Sequence, residues 1–323
     1  MYKQSLFKKF IHSKMATMLL LFVIFATIFS VLSKGAFLNP FNLMNILNAM
    51  AISAFLTEGL SLLMISGRLD LSTGANGTLC GMFLAATLRA GLPLVPALIF
   101  TLLLGALIGF INAVIVNEMN VAPFIGTLAT SSIVTGFVYL IANNKSIDIM
   151  DKFLRGYGKT MLFKYVPVAA LFAFVLMVII GVILHQTKFG RKIYLVGGNP
   201  QAAMLAGINP KRMSYILFTN CGLFSALAGI TLVSRLQAAT IQGLVSQRFQ
   251  GITAAVLGGI SIGGGSGGMA GAFFGLLVLN TFNNGMTVIA INPYWQNVAS
   301  GLLLVFALTL DYFYKKQKLK TVA

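Results

Sequence analysis

The sequence predicts an all-α polytopic membrane protein of about 10 transmembrane helices with broken or re-entrant glycine-rich segments. Three observations carry that expectation. The chain is 58% hydrophobic and 9% charged, with a mean hydropathy of +0.90, whereas soluble domains carry about 25% charged residues. Leu, Ile, Val, Phe and Gly run in stretches of about 20 residues between short polar breaks, the length that crosses a hydrocarbon core of roughly 30 Å. The runs are continuous, not the short alternating segments of a transmembrane barrel. The whole chain, 1–323, reads as one membrane domain.

The elements follow in order. Residues 1–14, MYKQSLFKKFIHSK, are basic and amphipathic. The run Met15 to Ser33 that follows is too long for a signal-peptide core and lacks a small-x-small cleavage site, so it reads as an uncleaved first span. Lys3, Lys8, Lys9 and Lys14 place this end in the cytoplasm. Further spans are expected at 44–66, 71–89, 92–116, 121–142 and 166–185. Residues 186–212 then interrupt the apolar pattern with Lys188, Arg191, Lys192, Lys211 and Arg212 and no acid. A basic loop between spans belongs on the cytoplasmic side. Beyond it come 213–236, a glycine-rich piece at 249–264, then 268–289 and 294–313. The tail 314–323, with Lys315, Lys316, Lys318 and Lys320, is again basic and cytoplasmic. This parity closes only if 249–264 counts as a span. It places the basic loop 143–165 outside, against the charge rule, whereas a half-span miscounted upstream would place it inside.

Charge excludes some classes of function. The net charge of +17 comes from 23 basic residues against six acids. Most bases sit in loops and tails, where they set topology, so the excess does not mark a nucleic-acid binder. Cys80 and Cys221 lie in apolar runs without metal spacing, and His12 and His185 sit at span edges as interfacial anchors. No nucleophile–base constellation is present, so the chain is not read as an enzyme. Gly105-x-x-x-Gly109, Gly222/Ala226, Ser225/Gly229 and the series Gly267, Gly271, Gly275 place small residues on helix faces for close packing.

Three groups of residues are candidates for the site. SGRLDLSTG at 66–74 puts Arg68 and Asp70 at the edge of apolar sequence, where charges are paired or line a wet cavity. Asp70, Ser72 and Thr73 suit a helix cap. Two readings stand: a capped break closed by an Arg68–Asp70 pair, or part of the solute path. Gln250 to Gly271 forms a glycine-rich break. Ser261 to Gly268 is not a Walker loop, because Met269 and Ala270 follow instead of Lys-Ser/Thr. Asn76, Asn112, Gln242, Gln247, Asn283 and Asn284 are amides that suit either a hydroxylated solute or interhelical hydrogen bonds.

These motifs together resemble the permease subunits of bacterial ABC importers for ribose, arabinose, galactosides and related sugars, a group that includes branched-chain amino-acid permeases. LDLSTG at 69–74, FGRKIYLVGGNPQAAMLAGI at 189–208 and LGGISIGGGSGGMAGAFFG at 257–275 match in order and spacing along nearly the whole chain. The resemblance implies a bacterial inner-membrane permease for a sugar-like solute. It also implies a second permease subunit, a cytoplasmic ATPase that holds the ATP, and an extracytoplasmic binding protein, with no cofactor on this chain. It makes Gly197, Gly198, Asn199, Ala202, Ala203, Gly207 and Ile208 positions of an ATPase-coupling loop. Gly197 and Gly198 are expected to form a turn that presents a short helix capped by Asn199, with Pro200 at its first position. Departures from the family pattern are Gln250 in place of an acid, Thr253 in place of Ala, Ser266 in place of Lys or Arg, and Arg68 in place of a small neutral residue. An ion-coupled secondary transporter turning on Asp70 is the alternative, and a non-transporting scaffold the third reading.

Overall fold

A computed structural model describes residues 14–245, 247–296, 298–306 and 309. Lys3, Lys8, Lys9 and His12, and the tail 314–323, lie outside them. The helices are α1 (Lys14–Leu32), α2 (Pro40–Ile65), α3 (Thr73–Arg89), α4 (Leu94–Asn117), α5 (Pro123–Ala142), α6 (Lys152–Lys159) and α7 (Val168–Gln186). They continue with α8 (Lys188–Gly198), α9 (Pro200–Leu205), α10 (Pro210–Leu236), α11 (Gln247–Leu257) and α12 (Met269–Val288). Residues 293–296 and 298–306 are also helical. Six helices, α1, α2, α4, α5, α7 and α10, are long and apolar enough to cross a membrane. The all-α expectation holds. The only sheet among the described residues is two short antiparallel ladders, β1 (Ile147–Asp148) with β4 (Ala238–Ala239) and β2 (Met161–Leu162) with β3 (Val166–Pro167).

The centre of the bundle is α2. Every residue from Met50 to Ile65 is buried, and 83% of its most apolar window is covered, against 11% for α1. A helix shielded from lipid need not be apolar all round. Accordingly α2 carries Ser53, Thr57, Glu58 and Ser61, while the lipid-facing α7 is much more hydropathic. The most extensive packing is that of α10 on α4, followed by α10 on α2 and α3. It depends on the expected small-residue faces. A Cβ on Gly222 would run into the Gly105 carbonyl, and one on Gly229 into the Gly77 carbonyl. Gly271 and Gly275 meet Gly258 and Ala254 of the glycine-rich piece in the same way, but Gly267 lies before α12 begins.

The glycine-rich piece departs from its expected form. Residues 249–264 are not one span. Helix α11 has 11 residues, about 16 Å at 1.5 Å per residue, and the chain is irregular from Gly258 to Gly268. Gly259, Gly264, Gly265 and Gly267 all have positive φ there, so no helix can run through. Loop 143–165 folds against the bundle: β1 pairs with the strand after α10, and the Tyr157 hydroxyl lies 3.3 Å from Thr231 Oγ1. Asp151 caps α6 by accepting from the Leu154 N–H at 3.0 Å. This loop and the α8–α9 connector therefore lie at opposite ends of the bundle.

Candidate functional site

The first break, 66–72, is held by side chains. Asp70 is fully enclosed; its Oδ1 accepts from the Ser72 N–H and hydroxyl, both at 2.7 Å. Its other oxygen accepts from Asn112 Nδ2 at 3.2 Å, and Asn112 also donates to Ser72 Oγ at 2.8 Å. Thr127 Oγ1 accepts from the Leu71 N–H at 3.0 Å. The expected cap is thus Asp70, not Ser72 or Thr73: Ser72 is the cap residue of α3, but its side chain makes no capping bond. The expected Arg68–Asp70 pair is also not formed. Arg68 turns away and donates to Asn117 Oδ1 at 2.8 Å and Ser214 Oγ at 2.6 Å, tying the break to the ends of α4 and α10. Asp70 forms its turn without a cation, because three hydrogen-bond donors, the Ser72 N–H, the Ser72 hydroxyl and Asn112 Nδ2, already meet its carboxyl oxygens. Asn76 bonds the Gly105 carbonyl at 3.1 Å. Asp70, Ser72, Asn76 and Asn112 are therefore buried interior supports, and they line none of the cavities described below.

The second break, 258–268, is held by backbone. The Gly265 N–H donates to the Ile65 carbonyl at 2.8 Å. A Cβ on Gly264 would lie 2.7 Å from the Gly197 carbonyl oxygen and 2.8 Å from the Gly67 backbone. One on Gly197 would overlap the Ile65 carbonyl. The two breaks and the last turn of α8 thus meet at a junction where three backbones touch. Tyr194, one turn back on α8, donates to the Gly267 carbonyl at 2.6 Å.

The connector carries the expected short helix. Asn199 Oδ1 accepts from the N–H groups of Gln201 and Ala202, both at 3.0 Å, with Pro200 at the first position of α9. Gly207, with φ +75°, ends it as Ile208 N–H returns to the Ala203 carbonyl at 2.9 Å. Gly197 and Gly198 are not a turn: they are the last residues of α8, whose first turn is capped by Thr187. Glycine is required at 197 by close approach, not by bending. Ala203 is buried against the bundle, while Ala202 and Met204 are exposed and Leu205 is 91% exposed. Beside them, Glu118 accepts from Tyr215 at 3.0 Å and Lys211 at 3.3 Å, which together hold its carboxyl below the usual range.

At the opposite end lies an amide-lined cavity of about 490 Å³, enclosed by α2, α10, α11, α12 and Gln296. Asn42 and Asn284 exchange hydrogen bonds at 2.9 and 3.0 Å, Asn280 bonds the Leu276 carbonyl at 2.9 Å, and Asn283 accepts from Ser300 at 3.1 Å. The Asn45, Gln247, Gln250 and Arg235 side chains line the same cavity. None of these four makes a side-chain hydrogen bond to another described residue. The structure thus gathers Gln247, Gln250, Asn283 and Asn284 from the sequence candidates and leaves Asp70, Ser72, Asn76 and Asn112 elsewhere. Arg68 lines a groove beside α9 with Met204 and Lys211.

Sequence reasoning passed over several of these residues. Arg235 and Asn45 were hidden because each lies near the end of an apolar span, where a polar residue is ordinary. Thr127, Asn117 and Ser214 contribute only through contacts far apart in the chain. Glu58 did have a signal, an acid in the middle of an apolar run. It is fully buried in α2, and neither carboxyl oxygen has a hydrogen-bond partner among the described residues.

Residues 42–308 match the family described as branched-chain amino acid transport system / permease component. The ribose import permease protein RbsC of Bacillus subtilis (strain 168) is 34% identical over 304 residues, 92% of each chain. The fructose import permease protein FrcC of Rhizobium meliloti is 32% identical over 319 residues, 95% of this chain and 88% of that one. The galactose/methyl galactoside import permease protein MglC of Escherichia coli (strain K12) is 30% identical over 294 residues, 85% and 87%. No solved structure matches the chain significantly.

Proposed function

We infer the function from one premise: the chain belongs to the branched-chain amino acid transport system / permease component family. It is a permease subunit of a sugar ABC importer, a multi-pass protein of the bacterial inner membrane, and a transport component, not an enzyme. The observation that carries this is similarity over most of the chain to permeases named for ribose, fructose and galactose import. Such importers work with an ATP-binding-cassette ATPase and a solute-binding protein, which we take as this chain's partners. ATP is held by the ATPase, and a second permease subunit, identical or related, completes the path.

The connector end faces the cytoplasm in this reading, and both chain termini lie there; Lys188, Arg191, Lys192, Lys211 and Arg212 support that side. The exposed Leu205 and Met204 of α9 are the surface that seats in the ATPase. Asn199 fixes the helix, Ala202 and Ala203 fit its two faces, and Gly207 and Ile208 close it. Movement of α9 is passed through Gly197 and Gly198 to both breaks at once, because all three backbones share one junction. Solute enters from the amide cavity at the other end, by way of Gln250, Asn283 and Asn284.

Reconstitution with the ATPase and binding protein tests this. Leu205→Asp leaves insertion and thermal unfolding unchanged and abolishes ATP-dependent uptake. Unchanged uptake in that variant sinks the coupling role. Sugar uptake by the permease alone, driven by an ion gradient, sinks the importer reading.

A further inference from the structure

The amide cavity has a charge character that its amides alone do not explain. Its polar lining consists of Asn, Gln, Ser and Thr side chains and one guanidinium, that of Arg235; no Asp or Glu lines it among the described residues. Arg235 sits in the last turn of α10, partly buried, and has no hydrogen bond or ion pair with another described residue. Its guanidinium, a group of five N–H donors, lines the cavity with none of them bonded to another described residue. Asn45, Gln247 and Gln250 stand across from it, equally free, and each both donates and accepts. Asn42 and Asn284 are consumed in bonding each other, and so serve as the wall.

A second guanidinium lies close behind. The neighbouring cavity shares Gln250 and is lined by Arg248, whose Nη1 donates to Ser131 Oγ at 3.1 Å and whose charge lies 4.9 Å from the Phe249 ring. No carboxylate lines that cavity either. The local field is therefore positive, in a concave and partly dehydrated place where a like charge is repelled more strongly than in water.

We propose that the amide cavity is a solute station filtered by charge through Arg235: it takes neutral or acidic polyhydroxylated solutes and turns away those that carry an ammonium group. The inference rests on the permease reading above and adds the class of solute admitted. Hydroxyl and ring oxygens accept from Arg235 and the free amides. A carboxylate gains a charge-assisted bond to the guanidinium. An ammonium group is repelled by the guanidinium, and the bonds it can donate to the free amide oxygens do not offset that repulsion.

The test uses the purified permease in nanodiscs at low salt and mildly acidic pH, with galactose, galacturonate and galactosamine as matched probes read by saturation-transfer NMR. Galactosamine binds roughly tenfold more weakly than the other two, the scale on which one juxtaposed charge discriminates. Arg235→Gln brings the three probes together, and Arg235→Lys preserves the order. Asn45→Ala, with the charge intact, weakens all three alike, which separates the filter from a general loss of the site. Galactosamine binding as well as galactose in the unaltered protein overturns the proposal, as does an order that survives Arg235→Gln, or no binding of any probe. ATP-driven sugar uptake is measured in parallel with the partners present. If it persists while the filter is missing, the station is discarded and the permease reading stands; if it too is absent, both fall.

Discussion

The two helix breaks solve one problem with opposite chemistry. Break 66–72 is a knot of side chains, in which Asp70 and Thr127 accept from its backbone N–H groups, Asn112 fixes the Asp70 and Ser72 side chains, and Arg68 anchors it to α4 and α10. Break 258–268 is mostly glycine and is held chiefly by backbone contact with Ile65, Gly67 and Gly197, with Tyr194 donating to the Gly267 carbonyl. The first is stiff because each polar group has a specific partner. The second relies on glycine surfaces that allow close approach without interlocking side chains. A junction with one face of each kind allows the connector to move one break against a fixed counterpart.

Substitutions can break that contrast or sharpen it. The largest effect is expected from adding one methyl group to the glycine break. Gly264→Ala costs about 3 kcal/mol or more, since the residue has positive φ and the new carbon meets two backbones. A lowered unfolding temperature in detergent and poor membrane yield are the measurements; normal stability would show the junction is loose. Next is the side-chain break. Asp70→Ala leaves the Ser72 N–H and Asn112 without their acceptor and costs about 2–3 kcal/mol. Asp70→Asn retains an acceptor and costs about 1 kcal/mol. Equal damage from the two would mean that the charge, not the bonding, organises the turn. Asn199→Ala removes two capping bonds of α9, about 1 kcal/mol locally. It should lower coupled ATPase stimulation more than melting temperature.

The smallest effect is electrostatic and lies at the connector. Tyr215 and then Lys211 hold the Glu118 carboxyl below its ordinary value, so the stabilisation exists above the unfolded pKa of about 4.3 and is lost as pH falls through the lower, folded value. Lys211→Met flattens that acidic limb of the stability profile slightly, and acid unfolding curves of the two proteins measure it. Because Glu118 is exposed, an unchanged curve would mean that salt and water already screen the contact.

Much of this was legible in the sequence, for reasons that can be stated. Most span bounds, the Gly105, Gly222 and Gly229 packing faces and the Asn199–Pro200 helix start depend on local spacing, and they appear as expected, whereas Gly267 falls outside the helix that carries Gly271 and Gly275. The half-length of α11 was not legible, because an apolar glycine-rich run reads alike as helix or loop until its φ angles are known. The same limit misassigned Gly197 and Gly198: a glycine kept for close approach looks identical to one kept for a turn. Arg68 and Asp70 are two residues apart and invite pairing, yet Asp70 folds back onto Ser72 and Asn112 while Arg68 reaches past it to Asn117 and Ser214. The amide cavity was half visible. Asn283, Asn284 and Gln250 were flagged, but only the fold shows that Asn284 is occupied with Asn42 and that Arg235 stands among the free ones.

The enclosed position of α2 also constrains how the protein is made. Its principal cover, α10, is synthesised roughly 170 residues later, a delay of about ten to thirty seconds at 5–20 residues per second. Throughout that interval Thr57, Glu58 and Ser61 have no α10 to shelter them from lipid or the insertion machinery. The last turn of α2 and the two glycines that meet it also cannot join until α8 and then α12 arrive. Assembly of the junction is thus a late event in biogenesis, completed only after the glycine break has left the ribosome.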